Sequence, residues 1–222
     1  MSFRKPVVHQ KKLDERLFNI PYGLSFHPTL EPEYSDAQTD LPDFLEMRGG
    51  ENDNSEAVLD IVSQVVLELA DIGAILEIGI AAYGPEHSMT TRVLAAKEPW
   101  VPYLGIDLAD RSQIDDEYAR TYTLRLNSNK HAIINACLYG LTDFERPISL
   151  LIIDGDHSVK GALNDWKYAE LLAPSGVCLI HDTNSHPGPI ALVAAIDRKK
   201  FDVVEPLASA VDFGIAIVRR KP

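Results

Sequence analysis

The chain has 222 residues, of which 45% are hydrophobic and 24% are charged, as is typical of a globular protein with one α/β domain and a modest extra element. The net charge of −12 argues against a general nucleic-acid binder, because phosphate contacts need a basic surface. No segment has the length of a membrane span and no signal peptide is seen, so we expect a cytoplasmic protein without membrane contacts. Cys137 and Cys178 each lie in an apolar pattern and are interpreted as buried thiols.

The first part of the chain differs in composition from the rest. Between Pro21 and Asn54 the sequence is rich in Pro, Asp, Glu and Gly, contains scattered aromatic residues and lacks periodicity. This composition is compatible with a disordered segment or with an ordered extension that covers a cleft or a neighbouring subunit. The aromatic residues favour the ordered extension. We therefore predict an N-terminal arm or cover at 1–54 and one domain at 55–222, with a homodimer as a compatible assembly.

Regular structure is predicted to begin after Ser55, where apolar residues recur at helical spacing. Strands and helices then alternate, which predicts a doubly wound, mostly parallel sheet of seven strands. The last two strands are joined by a short link, so they should form an antiparallel hairpin. The predicted strands are 74–79, 103–107, 121–127, 149–154, 177–182, 203–207 and 213–219, and the predicted helices after the first are 89–97, 130–138, 159–172 and 189–198.

Two predicted strands end in ionisable residues. One leads to Asp154, Asp156 and His157, and the other leads to His181 and Asp182. Continuous apolar runs suit strands buried on both faces of a parallel sheet, and such sheets bind ligands beyond the carboxyl ends of their strands. Taken singly, each residue could instead belong to an ordinary turn or helix cap. The matching pair of strand ends favours a site.

The first two predicted strands also end in residues suited to a ligand. The first strand ends in Glu77 and Gly79, and the segment that follows is G-x-A-x-x-G with Ala81 in place of the middle glycine. Asp107 ends the second strand, where a carboxylate can accept hydrogen bonds from a ribose diol. A tight turn followed by a capping aspartate is the alternative interpretation.

With these motifs assembled, the segment from about Ser55 to the C-terminus resembles class I S-adenosylmethionine-dependent methyltransferases. Within that superfamily it is similar to small-molecule O-methyltransferases, including macrolide-sugar and cephalosporin-hydroxylase-like proteins, whose strands carry DGxH and a later (E/H)D. The resemblance implies a Rossmann-like fold with a seven-stranded sheet and S-adenosylmethionine as cofactor. The implied cofactor contacts are Glu77, Gly79, Ala81, Asp107, Ser128 (or Asn127, near the adenine) and Asp154.

The same resemblance implies a metal and a base. Asp154 and Asp182 match carboxylate ligands of a divalent cation, Mg²⁺ or another, and His157 matches the general base. His181 joins them as a candidate ligand at a position where several relatives have Glu. Oxygen ligands suit magnesium, whereas an imidazole favours softer ions. His186 is interpreted as a loop residue.

The expected function is metal-assisted O-methylation of a hydroxylated small molecule. A nicotinamide-dependent oxidoreductase is the first alternative, although its sheet would normally lack the antiparallel hairpin. A non-catalytic cofactor-binding or assembly protein is the second. Binding of S-adenosylhomocysteine rather than NAD separates the first two hypotheses, and metal-dependent turnover separates the first from the third.

Overall fold

The computed structural model describes residues 56–69, 73–80, 88–142, 145–207 and 213–221. The predicted arm at 1–54 lies outside these ranges and stays a prediction. Within them, no helix is long and apolar enough to cross a membrane. The strands are β1 (Ala74–Ile78), β2 (Tyr103–Asp107), β3 (Thr121–Arg125), β4 (Ile148–Ile153), β5 (Leu172–His181), β6 (Phe201–Val204) and β7 (Ile215–Arg220). The α-helices are α1 (Glu56–Leu67), α2 (Met89–Ala96), α3 (His131–Leu141), α4 (Val159–Asp165) and α5 (Pro187–Ala195).

The strands form one sheet in the order β3-β2-β1-β4-β5-β7-β6. The first five strands in this order are parallel, whereas β7 is antiparallel to both β5 and β6. Ile78, Ile153 and Ile180 pair across β1, β4 and β5, so these three strands end side by side. The predicted fold class and the antiparallel terminal hairpin are confirmed.

Helices cover both faces of the sheet because each central strand is apolar on both sides. On one face, α1 and α2 pack on residues such as Ile75 and Ile152. On the other face, α3, α4 and α5 pack on Leu76, Leu151 and Ile180. These two apolar layers hold the central strands in place. The carboxyl ends of those strands remain uncovered, so polar side chains can lie there.

The structure differs from the predicted elements mainly at their ends. The helix predicted at 159–172 is α-helical only to Asp165 and continues as a 3-10 helix to Leu171. β5 begins at Leu172 rather than 177, because the chain pairs with β4 there and resumes regular pairing at Val177 after an irregularity. α5 begins at Pro187, whose fixed φ suits the first turn of a helix. β6 ends at Val204, two residues before Pro206.

A glycine is required at position 79, where the chain turns directly after β1. Its φ is +84°, and a Cβ there would overlap the backbone carbonyl of Asp154. We expect Gly79→Ala to destabilise the protein by about 1–3 kcal/mol from backbone strain alone. Gly140 in α3 is the matched control, since a Cβ there meets nothing within 4 Å and should stabilise the helix by about 0.5–1 kcal/mol. Chemical denaturation of both variants measures the difference, and equal stabilities would contradict the described turn.

Candidate active site

A cavity of about 270 Å³ opens at the carboxyl ends of β1, β2 and β4. The chain runs outward from β1 to β2 on one side and from β4 to β5 on the other, and this change of direction leaves a crevice in a doubly wound sheet. The lining residues are Ile78, Gly79, Ile80, Ile106, Asp107, Leu108, Leu126, Ser128, Asp154, Gly155 and Asp156. The structure thus brings together four of the predicted cofactor contacts, namely Gly79, Asp107, Ser128 and Asp154.

Asp107 is held firmly at the end of β2. The backbone N–H of Ile80 donates to its Oδ2 over 3.1 Å, and the backbone N–H of Ala109 donates to its Oδ1 over 2.7 Å. Nε of Arg111 lies 3.2 Å from the same Oδ2. These donors fix the carboxylate at the cavity wall, where it can accept further hydrogen bonds from a diol.

Ser128 and Asp156 also line the cavity. The carbonyl of Ser128 accepts a 2.6 Å hydrogen bond from the hydroxyl of Tyr168, which ties the end of β3 to the segment after α4. The Asp156 carboxylate accepts a 2.9 Å bond from the backbone N–H of Ser158 and packs where a Cβ at Gly161 would otherwise stand. Asp156 therefore shapes the turn between β4 and α4 while it faces the cavity.

Glu77 is not among the described residues that line the cavity. Strand alternation directs Glu77 towards α2, where Thr90 and Tyr103 donate hydrogen bonds to its carboxylate over 2.6 and 2.7 Å. Burial raises its pKa to about 7, although these two hydroxyls oppose the shift. Ala81 lies outside the described residues. Cofactor contact by either residue stays a prediction.

Beside the cavity, two aspartates and two histidines converge. Asp154 Oδ1 lies 3.0 Å from Nδ1 of His181, and Asp182 Oδ1 lies 3.4 Å from the same nitrogen. Nε2 of His157 lies 2.8 Å from Asp182 Oδ2 and 3.7 Å from Asp154 Oδ1. The register of β4 and β5 explains the convergence, because Asp154 and His181 follow the paired residues at the ends of neighbouring strands.

The turn after β5 brings Asp182 back towards this cluster. Its φ is +60°, a left-handed conformation that aspartate tolerates better than most residues. His157 is fixed from the opposite side, because the backbone N–H of Gly188 in α5 donates to its carbonyl over 2.9 Å. The backbone of both residues is thus fixed by hydrogen bonds near the start of α5.

His186 is a member of the cluster that sequence reasoning missed. It does lie in the loop before α5, but its ring contacts the ring of His157 at a tilt of 31° with centroids 4.2 Å apart, and its Nδ1 lies 3.4 Å from Asp182 Oδ2. The hydroxyl of Ser185 lies 2.9 Å from the same nitrogen. The four-residue spacing from Asp182 was the available signal, and it is weak outside a helix.

The cluster shifts the pKa values of its members strongly. Burial opposes ionisation of Asp154, but His181 and His157 outweigh it and lower the pKa to about 2. Burial also disfavours the charged imidazoles, yet the two carboxylates raise the pKa of His157 to about 10 and that of His181 to about 9. The pKa of His186 is lowered, chiefly by burial. The two carboxylates therefore favour positive charge strongly at this point.

This arrangement fits a divalent cation. Asp154, His181 and Asp182 each offer a ligand atom, and these atoms lie within 4.8 Å of one another. Two ligands bonded to one ion at about 2.1 Å are about 3.0–3.4 Å apart, depending on whether the ion is octahedral or tetrahedral. The observed separations of 3.0 and 3.4 Å from His181 Nδ1 to the two carboxylates match that range.

Known structures resemble this chain in fold. The MycE methyltransferase of the mycinamycin pathway, in complex with Mg, SAH and mycinamycin VI, is 17% identical with a TM-score of 0.50, over 72% of this chain and 48% of that chain. An rRNA methylase from Streptococcus thermophilus is 14% identical with a TM-score of 0.50, over 73% of this chain and 95% of that one. A DUF574-family protein from Streptomyces avermitilis is 16% identical with a TM-score of 0.50, over 73% and 82%.

The fold is that of the Rossmann-like methyltransferases. The chain spans about half the length of the MycE chain it matches. No protein-family model matches the sequence, and no curated protein is similar to it. Identities of 14–17% establish a shared fold but not a shared reaction. The chemistry is therefore inferred from the side chains of this chain.

Proposed function

We propose that the protein is an S-adenosylmethionine-dependent methyltransferase that methylates a hydroxyl group of a small molecule, with a divalent cation and His157 as general base. One observation supports this most strongly. Asp154 both lines the cavity at the ends of β1, β2 and β4 and belongs to the His–Asp cluster. A cofactor in the cavity would therefore lie next to groups that can bind and deprotonate an acceptor.

The cavity suits the cofactor. Asp107 presents a fixed carboxylate for the ribose hydroxyls, and Gly79 lets a ligand approach the backbone at the end of β1. Ser128 lies at the end of β3, where it can flank the adenine. S-adenosylmethionine supplies a methyl group on a sulfonium, which needs in-line placement of the acceptor rather than a covalent intermediate with the protein.

The cluster suits deprotonation of the acceptor. The acceptor hydroxyl gives its proton to His157, at the ring nitrogen that does not face Asp182, while its oxygen takes the methyl group, and S-adenosylhomocysteine is left. Asp182 Oδ2, 2.8 Å from Nε2 of His157, orients the imidazole ring. A divalent cation bound by Asp154 and Asp182 would neutralise these carboxylates and act as a Lewis acid towards the acceptor oxygen.

His157 can act as the general base only if the charges of the Asp154 and Asp182 carboxylates are neutralised. With Asp154 and Asp182 ionised and facing His157, its pKa is about 10, so the imidazole would be protonated at neutral pH and could not act as a base. Carboxylates that bind a divalent cation no longer favour the imidazolium. The pKa of His157 then falls towards its ordinary value of about 6.5. The proposed base therefore depends on the proposed cation.

The nicotinamide alternative shares the parallel half of the sheet. It does not explain the antiparallel β7 between β5 and β6, nor two carboxylates and three histidines beside the cavity.

Labelled S-adenosylmethionine, offered with a library of hydroxylated metabolites with and without chelator, tests the proposal. We expect chelator-sensitive transfer of label to a hydroxyl, and transfer that is indifferent to chelator would contradict the role of the cation.

Replacement of Asp107 by Asn tests the cofactor site. The variant keeps the size of the side chain but loses a charge-assisted acceptor, so S-adenosylhomocysteine should bind about 1.5–3 kcal/mol more weakly. Asp110→Asn is the matched control, because Asp110 is exposed and forms its hydrogen bonds with the nearby Ser112. Calorimetry measures both affinities, and an unchanged affinity in Asp107→Asn would place the ribose elsewhere.

A further inference from the structure

The cation site that the proposed function requires contains an imidazole among its inner donors. His181 is 2% exposed, and its Nδ1 is the atom nearest to both carboxylates, at 3.0 Å from Asp154 and 3.4 Å from Asp182. Asp154 and Asp182 are themselves 14% and 7% exposed. An ion bound between these carboxylates would therefore meet the ring nitrogen of His181 in the same buried space.

A second donor set shares Asp182 but is more exposed to solvent. It consists of His157, Asp182 and His186. The rings of the two histidines are tilted by 31°, with centroids 4.2 Å apart. His186 is 12% exposed, whereas His181 is 2% exposed. His157 is also 32% exposed, which leaves it accessible to an acceptor.

Donor chemistry then separates the candidate ions. Mg²⁺ prefers oxygen ligands and a rigid octahedral shell, whereas imidazole suits zinc, iron, nickel and other first-row transition ions. His186 Nδ1, 3.4 Å from Asp182 Oδ2, adds a second imidazole beside the same carboxylate. The surroundings of Asp182 are therefore richer in nitrogen than a magnesium site would be.

We propose that His181 is a direct ligand in the site formed with Asp154 and Asp182, and that the site consequently selects a first-row transition ion such as Mn²⁺, Co²⁺ or Zn²⁺ over Mg²⁺. This inference rests on the cation in the proposed function, but it makes a separate claim about which atoms bind it. Such ions generally bind more tightly than Mg²⁺, so affinity alone does not test the claim. Direct detection of an imidazole nitrogen bound to the metal does test it.

Electron spin echo spectroscopy of the full chain loaded with Mn²⁺ detects a directly bound imidazole nitrogen. We expect this nitrogen coupling in the unaltered protein and its loss in His181→Glu, which offers only oxygen. The ratio of the dissociation constants for Mg²⁺ and Mn²⁺ should fall at least about tenfold in the same variant. His131→Gln is the control, because His131 stacks on Tyr168 outside the cluster and should leave both results unchanged.

Absence of nitrogen coupling in the unaltered protein would overturn the inference, and this result does not depend on whether a variant folds. Coupling that persists in His181→Glu would overturn it too, since another histidine would then be the ligand. Calorimetry with S-adenosylhomocysteine on the same samples keeps the proposed function separate. Cofactor binding without nitrogen coupling contradicts only the ligand claim, whereas nitrogen coupling without cofactor binding contradicts only the methyltransferase.

Discussion

Asp182→Asn should abolish metal-stimulated methyl transfer while S-adenosylhomocysteine binds as before. Asp182 faces His181 and His157 with its two carboxylate oxygens, so loss of its charge removes a cation ligand and the partner of the base together. It does not line the described cavity, and cofactor affinity should therefore be retained. Asparagine also tolerates the φ of +60° at this position, which keeps the backbone turn intact.

Two measurements on this variant separate the outcomes. Metal titration of turnover should show no stimulation, and calorimetry should show an unchanged affinity for S-adenosylhomocysteine. Asp202→Asn is the matched control, because Asp202 lies on β6, is 66% exposed and pairs with Lys221 away from the cluster. Normal metal stimulation in Asp182→Asn would place the cation elsewhere and leave proximity as the main source of catalysis.

His157→Gln should lower kcat by roughly 10²–10⁴, the usual contribution of a general base. Glutamine keeps polar atoms near Asp182 but cannot accept a proton at neutral pH. Cofactor affinity should change little, because His157 does not line the described cavity. His131→Gln serves as the control for loss of a histidine. A kcat within a few-fold of the unaltered enzyme would rule out His157 as the base.

The pH profile gives a second test of His157. Since the neutral imidazole is the active form, kcat should rise with pH through the pKa of His157 and then level off. The facing carboxylates hold that pKa at about 10 when both are free, and at saturating metal the rising limb should move to lower pH. The measurement is kcat against pH at two metal concentrations, and a limb that does not move would contradict the coupling.

The sequence predicted the sheet and the proximity of the candidate site residues after β4 and β5 because both depend on short-range patterns. Continuous apolar runs marked the central strands, and parallel strands place their ends at one edge. Asp154 and His181 thus converge through the register of β4 and β5, which needs only the strand ends to be known. The antiparallel β7 followed in the same way from the short link to β6.

What could not be predicted depends on contacts between distant residues. The contact between the rings of His186 and His157 is set by the way α5 packs against the turn after β4. Glu77 lies in a motif typical of cofactor binding, yet its carboxylate accepts hydrogen bonds from Thr90 and Tyr103 and is fully buried. Neither orientation can be inferred from spacing along the chain, because both are decided by packing across the sheet.

The most direct test of the methyltransferase assignment is calorimetry of the full chain with S-adenosylhomocysteine and, separately, with NAD⁺. Gly79, Asp107 and Ser128 line a cavity that we assign to the adenosyl group and the sulfur-bearing chain of the cofactor. We predict that S-adenosylhomocysteine binds with one site per chain and that NAD⁺ neither binds nor competes. Binding of NAD⁺ with no heat from S-adenosylhomocysteine would contradict the assignment.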